Sequence, residues 1–229
     1  MADLLHDFHT HTFLSDGELS PVELIRRAHV RGYRVIGVAD HAGPGNLLDV
    51  VRQLVEACAF CQRHWDIRAL PGVELTHLPP IAIAEAAREA RMLGAEIVVV
   101  HGETPVEPVP PGTNWAAIRS PDVDVLGHPG FLSSEEAVAA RELGVFIELS
   151  ARRGHSLANG HVARACLEAG SRLIVDSDAH HPDDLLTRAL AAKVARGAGL
   201  TQDQVDTVLN ENPVALLERL ARRKEGNLR

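Results

Sequence analysis

Short apolar segments alternate with amphipathic helical segments along most of this sequence. Between the apolar segments lie five stretches with helical spacing of apolar residues, and four of them close on a glycine, the usual helix stop. This alternation predicts a parallel sheet covered by helices. Seven strands suit a closed or nearly closed barrel, with an open doubly wound sheet as the alternative. The predicted strands are 4–9, 35–39, 67–73, 96–100, 123–126, 145–149 and 173–175.

Length and composition fit one domain. The chain has 229 residues, is 45% hydrophobic and only 3% aromatic, so its core must be mostly aliphatic. No linker or low-complexity run divides it, and we expect a single domain over 1–229, ending in helices over about 182–223. The segment GETPVEPVPPGTN (102–114) has too many prolines for a helix. We expect an ordered loop there, either a spacer or a lid.

Charge and cysteine content narrow the function classes. The net charge of −8 argues against a broad nucleic-acid surface, although it leaves room for a local basic site. Three sparse cysteines do not form a disulfide framework, and Cys58 and Cys61 lie in an apolar helical pattern that predicts plain packing. The sequence shows neither a signal peptide nor a membrane-spanning run, so we expect a cytoplasmic protein.

Histidines and acids collect where the predicted strands end. Asp7, His9 and His11 alternate along the end of the first strand, so they share one face. In a parallel barrel the carboxyl ends of all strands lie on one rim, where active sites are built. The other strand ends carry Asp40, His41, Glu74, His101, His128, Glu148, Asp176, Asp178, His180 and His181.

This donor set predicts a metal centre. Imidazoles with carboxylates and without cysteine suit Zn²⁺, Mn²⁺ or Fe²⁺. Too many donors converge for one ion, so we expect two to three divalent ions. A carboxylate such as Glu74 or Asp178 would bridge two of them. Neighbouring ions of this kind activate a water and hold an attacked phosphorus, so hydrolysis of a phosphate ester is the expected chemistry.

The motifs DFHTHTFLSDG, VADH, PGVE, VVVHGE, LGHP and VDSDAH resemble, in order and spacing, those of the PHP (polymerase and histidinol phosphatase) superfamily. The resemblance runs from residue 7 to about residue 180. It implies a distorted (β/α)7 barrel with a trinuclear metal centre at its carboxyl-end rim. Members of the family include phosphatases, nucleases and domains of DNA polymerases.

The resemblance also implies a ligand set. One ion would be held by His9, His11, Glu74 and Asp178, a second by Glu74, His101 and His128, and a third by Asp16, His41 and His180. Asp7 and Asp40 would then orient ligand imidazoles.

Catalysis and substrate binding are assigned to the same rim. Asp40, Asp178 and His180 are the candidate catalytic residues, Asp40 as a possible general acid. Arg152 and Arg153 follow the sixth predicted strand, and an arginine fork there would bind a phosphate dianion.

We therefore expect a histidinol-phosphatase-like enzyme that cleaves a small phosphomonoester with a metal-activated hydroxide. The first alternative is a PHP-type nuclease or phosphodiesterase acting on nucleotides or oligonucleotides. The second is a non-catalytic metal-binding module. Nucleic acid and membranes are not expected partners.

Overall fold

The inner layer of the molecule is a set of short parallel strands, each buried on both faces. The structure is a computed structural model that describes residues 5–226. The strands are β1 (Leu5–Thr10), β2 (Tyr33–Val38), β3 (His41–Ala42), β4 (Arg68–Leu75), β5 (Ile97–His101), β6 (Val125–Gly127), β7 (Phe146–Ser150) and β8 (Leu173–Asp176).

Nine α-helices in the described residues cover the sheet. They are α1 (Pro21–Val30), α2 (Leu47–His64), α3 (Ile83–Leu93), α4 (Thr113–Arg119), α5 (Ser134–Leu143), α6 (Asn159–Ala169), α7 (Arg188–Gly197), α8 (Gln202–Asp206) and α9 (Asn212–Gly226).

The strands form a nearly closed barrel in the order β1-β2-β4-β5-β6-β7-β8, and all pairs are parallel. The two-residue β3 pairs only with the end of β4. Backbone hydrogen bonds join β1 to the segment just beyond the end of β8: Asp178 N donates to His9 O (2.9 Å), and His11 N donates to Ala179 O (2.8 Å). The predicted seven-stranded barrel is confirmed, and the open doubly wound alternative is wrong.

Local sequence signals set the helix limits. Helix α1 begins after Ser20, whose hydroxyl accepts the Glu23 N–H at 3.2 Å, and α5 begins with a capping box between Ser133 and Glu136. Helices α3, α5 and α6 end at glycines in the left-handed conformation. The five predicted helices are confirmed as α1, α2, α3, α5 and α6. Helix α4, which follows the proline-rich segment, was not predicted.

Two apolar clusters stabilise this arrangement. The larger lies between the sheet and its helices and includes the buried, free cysteines, which pack as expected. The smaller fills the barrel, where Leu70, Ile97 and Phe146 meet Leu216 and Leu220 of α9. Helix α9 therefore closes the amino end of the barrel with apolar side chains.

In the part of the chain that the structure describes, no helix combines the length and apolar character required to cross a bilayer.

Candidate metal centre and active site

Strand periodicity carries polar side chains to the carboxyl end of the barrel. On β5, Ile97 and Val99 belong to the inner core, and His101 is two residues further along the same face. On β7, Phe146 lies in the core and Glu148 follows on the same face; both side chains are fully buried. The alternation that fills the barrel with apolar residues thus ends in ionisable groups at one rim.

Glu74, at the end of β4, lies at the centre of an inner group of donors. Its Oε1 is 3.4 Å from His9 Nε2 and 3.2 Å from His128 Nε2, and its Oε2 is 3.7 Å from His11 Nε2. Asp178 completes the group, with its two oxygens 3.3 Å from His11 Nε2 and 3.6 Å from His128 Nε2. Glu74 thus faces three imidazoles and Asp178 faces two, the geometry expected of groups shared between ions.

A second group lies toward solvent. Asp16 Oδ1 is 3.1 Å from His180 Nε2 and 3.4 Å from His41 Nε2, and His11 is close enough to complete a four-donor cluster with them. His41 also reaches inward, with its Nδ1 2.7 Å from Glu74 Oε2. The structure brings all nine proposed ligands together in overlapping groups.

The donors fit divalent ions in chemistry as well as in position. Buried polar atoms are normally hydrogen-bonded, yet the described residues include a concentrated set of ring nitrogens and carboxylate oxygens without such a partner. These atoms face one another and offer nitrogen and oxygen donors without sulfur, which suits Zn²⁺, Mn²⁺ or Fe²⁺. They include His9 Nε2, both ring nitrogens of His11, both oxygens of Glu74, Asp178 Oδ2 and His180 Nε2.

Electrostatics at the site favour binding of cations by ionised carboxylates. Burial alone would raise the pKa of Glu74, but the surrounding imidazoles, led by His9 and His101, hold it well below its usual value. The pKa of Asp178 is lowered in the same way, chiefly by His9 against the cost of burial. Burial lowers the pKa of His11 to about 3, so its ring stays in the neutral form that binds metal.

Neighbouring side chains orient several of these ligands. The Nδ1–H of His9 donates to Glu148 Oε2 at 2.6 Å, and His41 Nδ1 is 2.7 Å from the Thr76 hydroxyl. Such contacts fix the tautomer and the direction of an imidazole. Glu148, for which the motifs offered no ligand role, thus contacts a proposed ligand directly.

Asp7 and Asp40 differ from expectation. The carboxylate of Asp7 accepts the Ser177 N–H (3.1 Å) and the Tyr33 hydroxyl (3.2 Å). Asp40 accepts from the backbone and hydroxyl of Thr12 (both 2.7 Å) and from the Ser15 hydroxyl (2.6 Å). Both acids therefore hold main chain and hydroxyl groups rather than orienting imidazoles. These contacts do not favour Asp40 as a general acid, because its carboxylate is held by Thr12 and Ser15, which belong to the loop that carries Asp16.

Two proposed ligands have unusual backbone geometry. His128 and Asp178 have φ values of 24° and 52°, in the left-handed region that non-glycine residues rarely adopt. Conformations of this kind cost energy and cluster at functional sites. Here each follows a strand end and returns its side chain toward the barrel axis.

A cavity of about 250 Å³ opens above the donors. Arg152 lines it, contacts the His180 ring and donates from its guanidinium to Asp178 O at 3.3 Å. Arg153 is exposed and is not among the residues that line the cavity. Of the two arginines expected to bind phosphate, only Arg152 therefore lines the cavity.

Three further residues line the cavity. His155 is buried, stacks on His128 at 4.1 Å and has its Nδ1 2.7 Å from the Thr104 hydroxyl. His77 lies beside His101, with ring centroids 4.9 Å apart. Glu107, from the proline-rich segment, places its Oε2 3.0 Å from His101 Nε2. Both histidines follow strand ends in the sequence. Glu107 had no such signal, because it lies in a loop without periodicity.

Sequence relatives include proteins named as phosphatases. The chain is 46% identical to an uncharacterized protein of Methanocaldococcus jannaschii, over 93% of this chain and 99% of that protein. It is 32% identical to a probable phosphatase of Caldanaerobacter subterraneus subsp. tengcongensis, over 77% of this chain and 76% of the relative. No family model matches the chain.

Solved structures share the fold at low sequence identity. A chain of archaeal ribonuclease P with mature tRNA superposes with a TM-score of 0.71 and 12% identity, over 94% of this chain and 90% of the other. Histidinol phosphate phosphatase from Lactococcus lactis, solved with zinc, L-histidinol and phosphate, gives a TM-score of 0.57 and 14% identity, over 86% and 95%. At these identities the likeness concerns the fold alone.

Proposed function

Because this chain belongs to the PHP-type metal-dependent phosphoesterases, we propose that it is a phosphatase that hydrolyses a small phosphomonoester. The observation that carries the proposal is the single arginine, Arg152, in the wall of a small cavity whose floor is made of metal-type donors. An arginine beside such a floor suits a compact, doubly charged phosphoryl group.

The proposed centre holds two to three divalent ions, of manganese, zinc or iron. His9, His11, Glu74 and Asp178 hold the first. Glu74, His101 and His128 hold the second, and Asp16, His41 and His180 the third. Ions in these places supply Lewis-acid chemistry, that is, activation of a water and neutralisation of phosphoryl charge.

The protein side chains bind and orient the substrate. Arg152 neutralises non-bridging phosphoryl oxygens, and its contacts with His180 and the Asp178 carbonyl hold the guanidinium at the cavity wall. Asp178 and His180, proposed to act in catalysis, belong to this same wall as metal ligands. The buried His155 and the Glu107 carboxylate also line the cavity, and we assign to them contact with the leaving group.

A nuclease would use the same donors, but other features favour the phosphatase. The chain is acidic overall, whereas a nucleic-acid surface needs clustered positive charge. The cavity is also small, and a diester needs room on both sides of phosphorus. The complete set of donors argues against a non-catalytic metal-binding module.

The test compares substrate classes. Protein purified without chelator and supplied with Mn²⁺ is assayed on p-nitrophenyl phosphate, on its methyl diester, on mononucleotides and on short oligonucleotides. We expect the largest kcat/KM on a monoester. A higher value on the diester or on oligonucleotides would favour the nuclease, and no turnover of any ester, with ions bound, would favour the non-catalytic module.

A further inference from the structure

The proline-rich segment contributes Glu107 to the lining of the active-site cavity, and its two ends are hydrogen-bonded to each other. Glu103 Oε1 accepts the backbone N–H groups of Gly112 and Asn114, each at 3.0 Å, and the Asn114 side chain accepts the Glu103 N–H at 3.0 Å. Residues 105–108 between these contacts are exposed. Residues 104–110, which we call the strap, thus form a loop whose base is held by these hydrogen bonds and whose tip faces solvent.

Glu107 directs a carboxylate from this tip into the site. Its Oε2 lies 3.0 Å from His101 Nε2 and 3.3 Å from His77 Nε2, and its Oε1 lies 3.5 Å from His155 Nε2. His101 is one of the nine proposed ligands, but Glu107 and His77 are not. One exposed loop residue therefore meets three imidazoles that come from different strand ends.

The spacing of these atoms suits an ion. Glu107, His77 and His101 offer one donor atom each within 4.8 Å of one another. Two donors that bind one ion at about 2.0–2.2 Å in tetrahedral geometry lie roughly 3.3–3.6 Å apart. The distances of 3.0 and 3.3 Å from Glu107 need little adjustment to reach this range. His77 has a φ of 54°, a strained conformation that places its ring beside that of His101.

We propose that His77 and Glu107 join His101 as ligands of the second ion, at the outer edge of the centre, and that this ion holds the strap closed over the cavity. The inference rests on the metal centre of the proposed function. It makes occupancy of this edge a condition for closing the mouth of the cavity. Glu107 is then a metal-binding residue carried on the proline-rich loop, whereas most of the other proposed ligands lie on or beside strand ends.

The alternative is that Glu107 binds no ion and only balances the positive charge of protonated imidazoles. A bound ion would then take its place and release the strap. The two readings predict opposite movements of residues 104–110 on metal binding, so the motion of the strap separates them.

The experiment measures metal binding and strap motion without any substrate. Metal-free protein is titrated with Mn²⁺ or Zn²⁺ against a competing chelator, and hydrogen–deuterium exchange of residues 104–110 is followed at each occupancy. The variants are Glu107→Gln and His77→Asn. Glu142→Gln, at an exposed carboxylate on α5, is the control.

In wild type and the control we expect binding of this ion to slow hydrogen exchange in the strap. In both variants that ion should bind at least about tenfold more weakly, because removing even the outer partners of a metal site causes a loss of this size. Hydrogen exchange in the strap should then stay fast. Unchanged affinity in both variants, or faster exchange of the wild-type strap on loading, would overturn the inference while leaving the phosphatase proposal intact. A wild type that binds no ion would overturn both, and a wild type that binds ions without hydrolysing esters would overturn only the proposed function.

Discussion

The ring of His9 and the carboxylate of Glu148 meet at 2.6 Å, and both side chains are completely buried. Because Nδ1 of His9 donates to Glu148, its Nε2 is left free to face Glu74 at 3.4 Å. An imidazole whose other nitrogen donates to a carboxylate is the usual arrangement of a metal-binding histidine. This contact ties a proposed ligand on β1 to β7, two strands away around the barrel.

Replacing Glu148 by Gln should therefore weaken the ion at His9. The amide keeps the size of the side chain but removes the charge that orients the imidazole, and we expect a loss of about 10- to 100-fold in affinity for one ion. Chelator competition measures it. Glu89→Gln, at an exposed carboxylate on α3, is the control. Unaltered affinity in Glu148→Gln would show that His9 needs no orienting partner.

Protein purified without chelator should contain two or three transition-metal equivalents. The reason is the number of buried donors without a hydrogen-bond partner among the described residues. Elemental analysis of the purified protein gives the count directly. One equivalent or none, after attempted loading with Mn²⁺, Zn²⁺ and Fe²⁺, would contradict the multi-ion centre.

Glu74 should matter more than any single histidine. Each of its oxygens faces a different imidazole, as a ligand shared by two ions requires. Glu74→Gln should abolish turnover and lower the metal content by more than one ion, whereas His101→Asn should lose no more than one. Circular dichroism checks that the variants fold. Near-normal activity of Glu74→Gln would contradict the shared role.

The two arginines should behave differently. Loss of one charge-assisted contact costs roughly 1.5–3 kcal/mol, so Arg152→Ala should lower kcat/KM on a monoester by about 10- to 150-fold and narrow the preference over a matched diester. Arg153→Ala is the matched control and should stay near wild type, because Arg153 lies outside the cavity lining. Steady-state kinetics on both esters decide the matter; a larger loss in Arg153→Ala would contradict the assignment.

His6 should make stability fall in acid. Burial, together with Arg188 and Arg34, lowers the pKa of His6 from 6.5 to about 4. A group with a lowered folded-state pKa stabilises the fold above its unfolded pKa, so this contribution is present above pH 6.5 and is lost as the pH falls toward 4. Because His6 is partly exposed, we discount the effect to about 1–2 kcal/mol.

Urea unfolding with chelator present, at pH 7 and pH 4, measures this contribution of His6 to the free energy of unfolding. His6→Gln should lose less stability over that interval than wild type, since glutamine does not titrate. Equal losses in the two proteins would show that His6 is not the titrating group.

Much of the fold was predictable because strand and helix periods differ. The seven strands and five helices have clear patterns of apolar residues, and the observed limits of the strands agree with the predicted ones within about two residues. β3 and α4 were missed: β3 is only two residues long, and α4 is a short helix after a segment of prolines. Neither is long enough to show a period.

The site was predictable to the extent that it lies at strand ends. Parallel strands in a barrel end on one rim, so motif residues far apart in sequence were expected to meet. Side-chain direction beyond the strand was not predictable. Asp40 turns to Thr12 and Ser15, Arg153 turns to solvent, and Glu107 enters from a loop, because loop geometry depends on contacts that no local pattern encodes.

The barrel closes through the few backbone contacts between β1 and the end of β8, which we call the seam. These contacts bear on the order in which the barrel assembles. His9 and His11 are synthesised before Asp178, which faces His11 across the seam and follows it by more than 160 residues. A nascent chain that ends before β8 has neither the closing backbone contacts nor a complete inner donor set. Binding of ions by the inner group would thus depend on the same late step that closes the barrel, the pairing of β8 with β1.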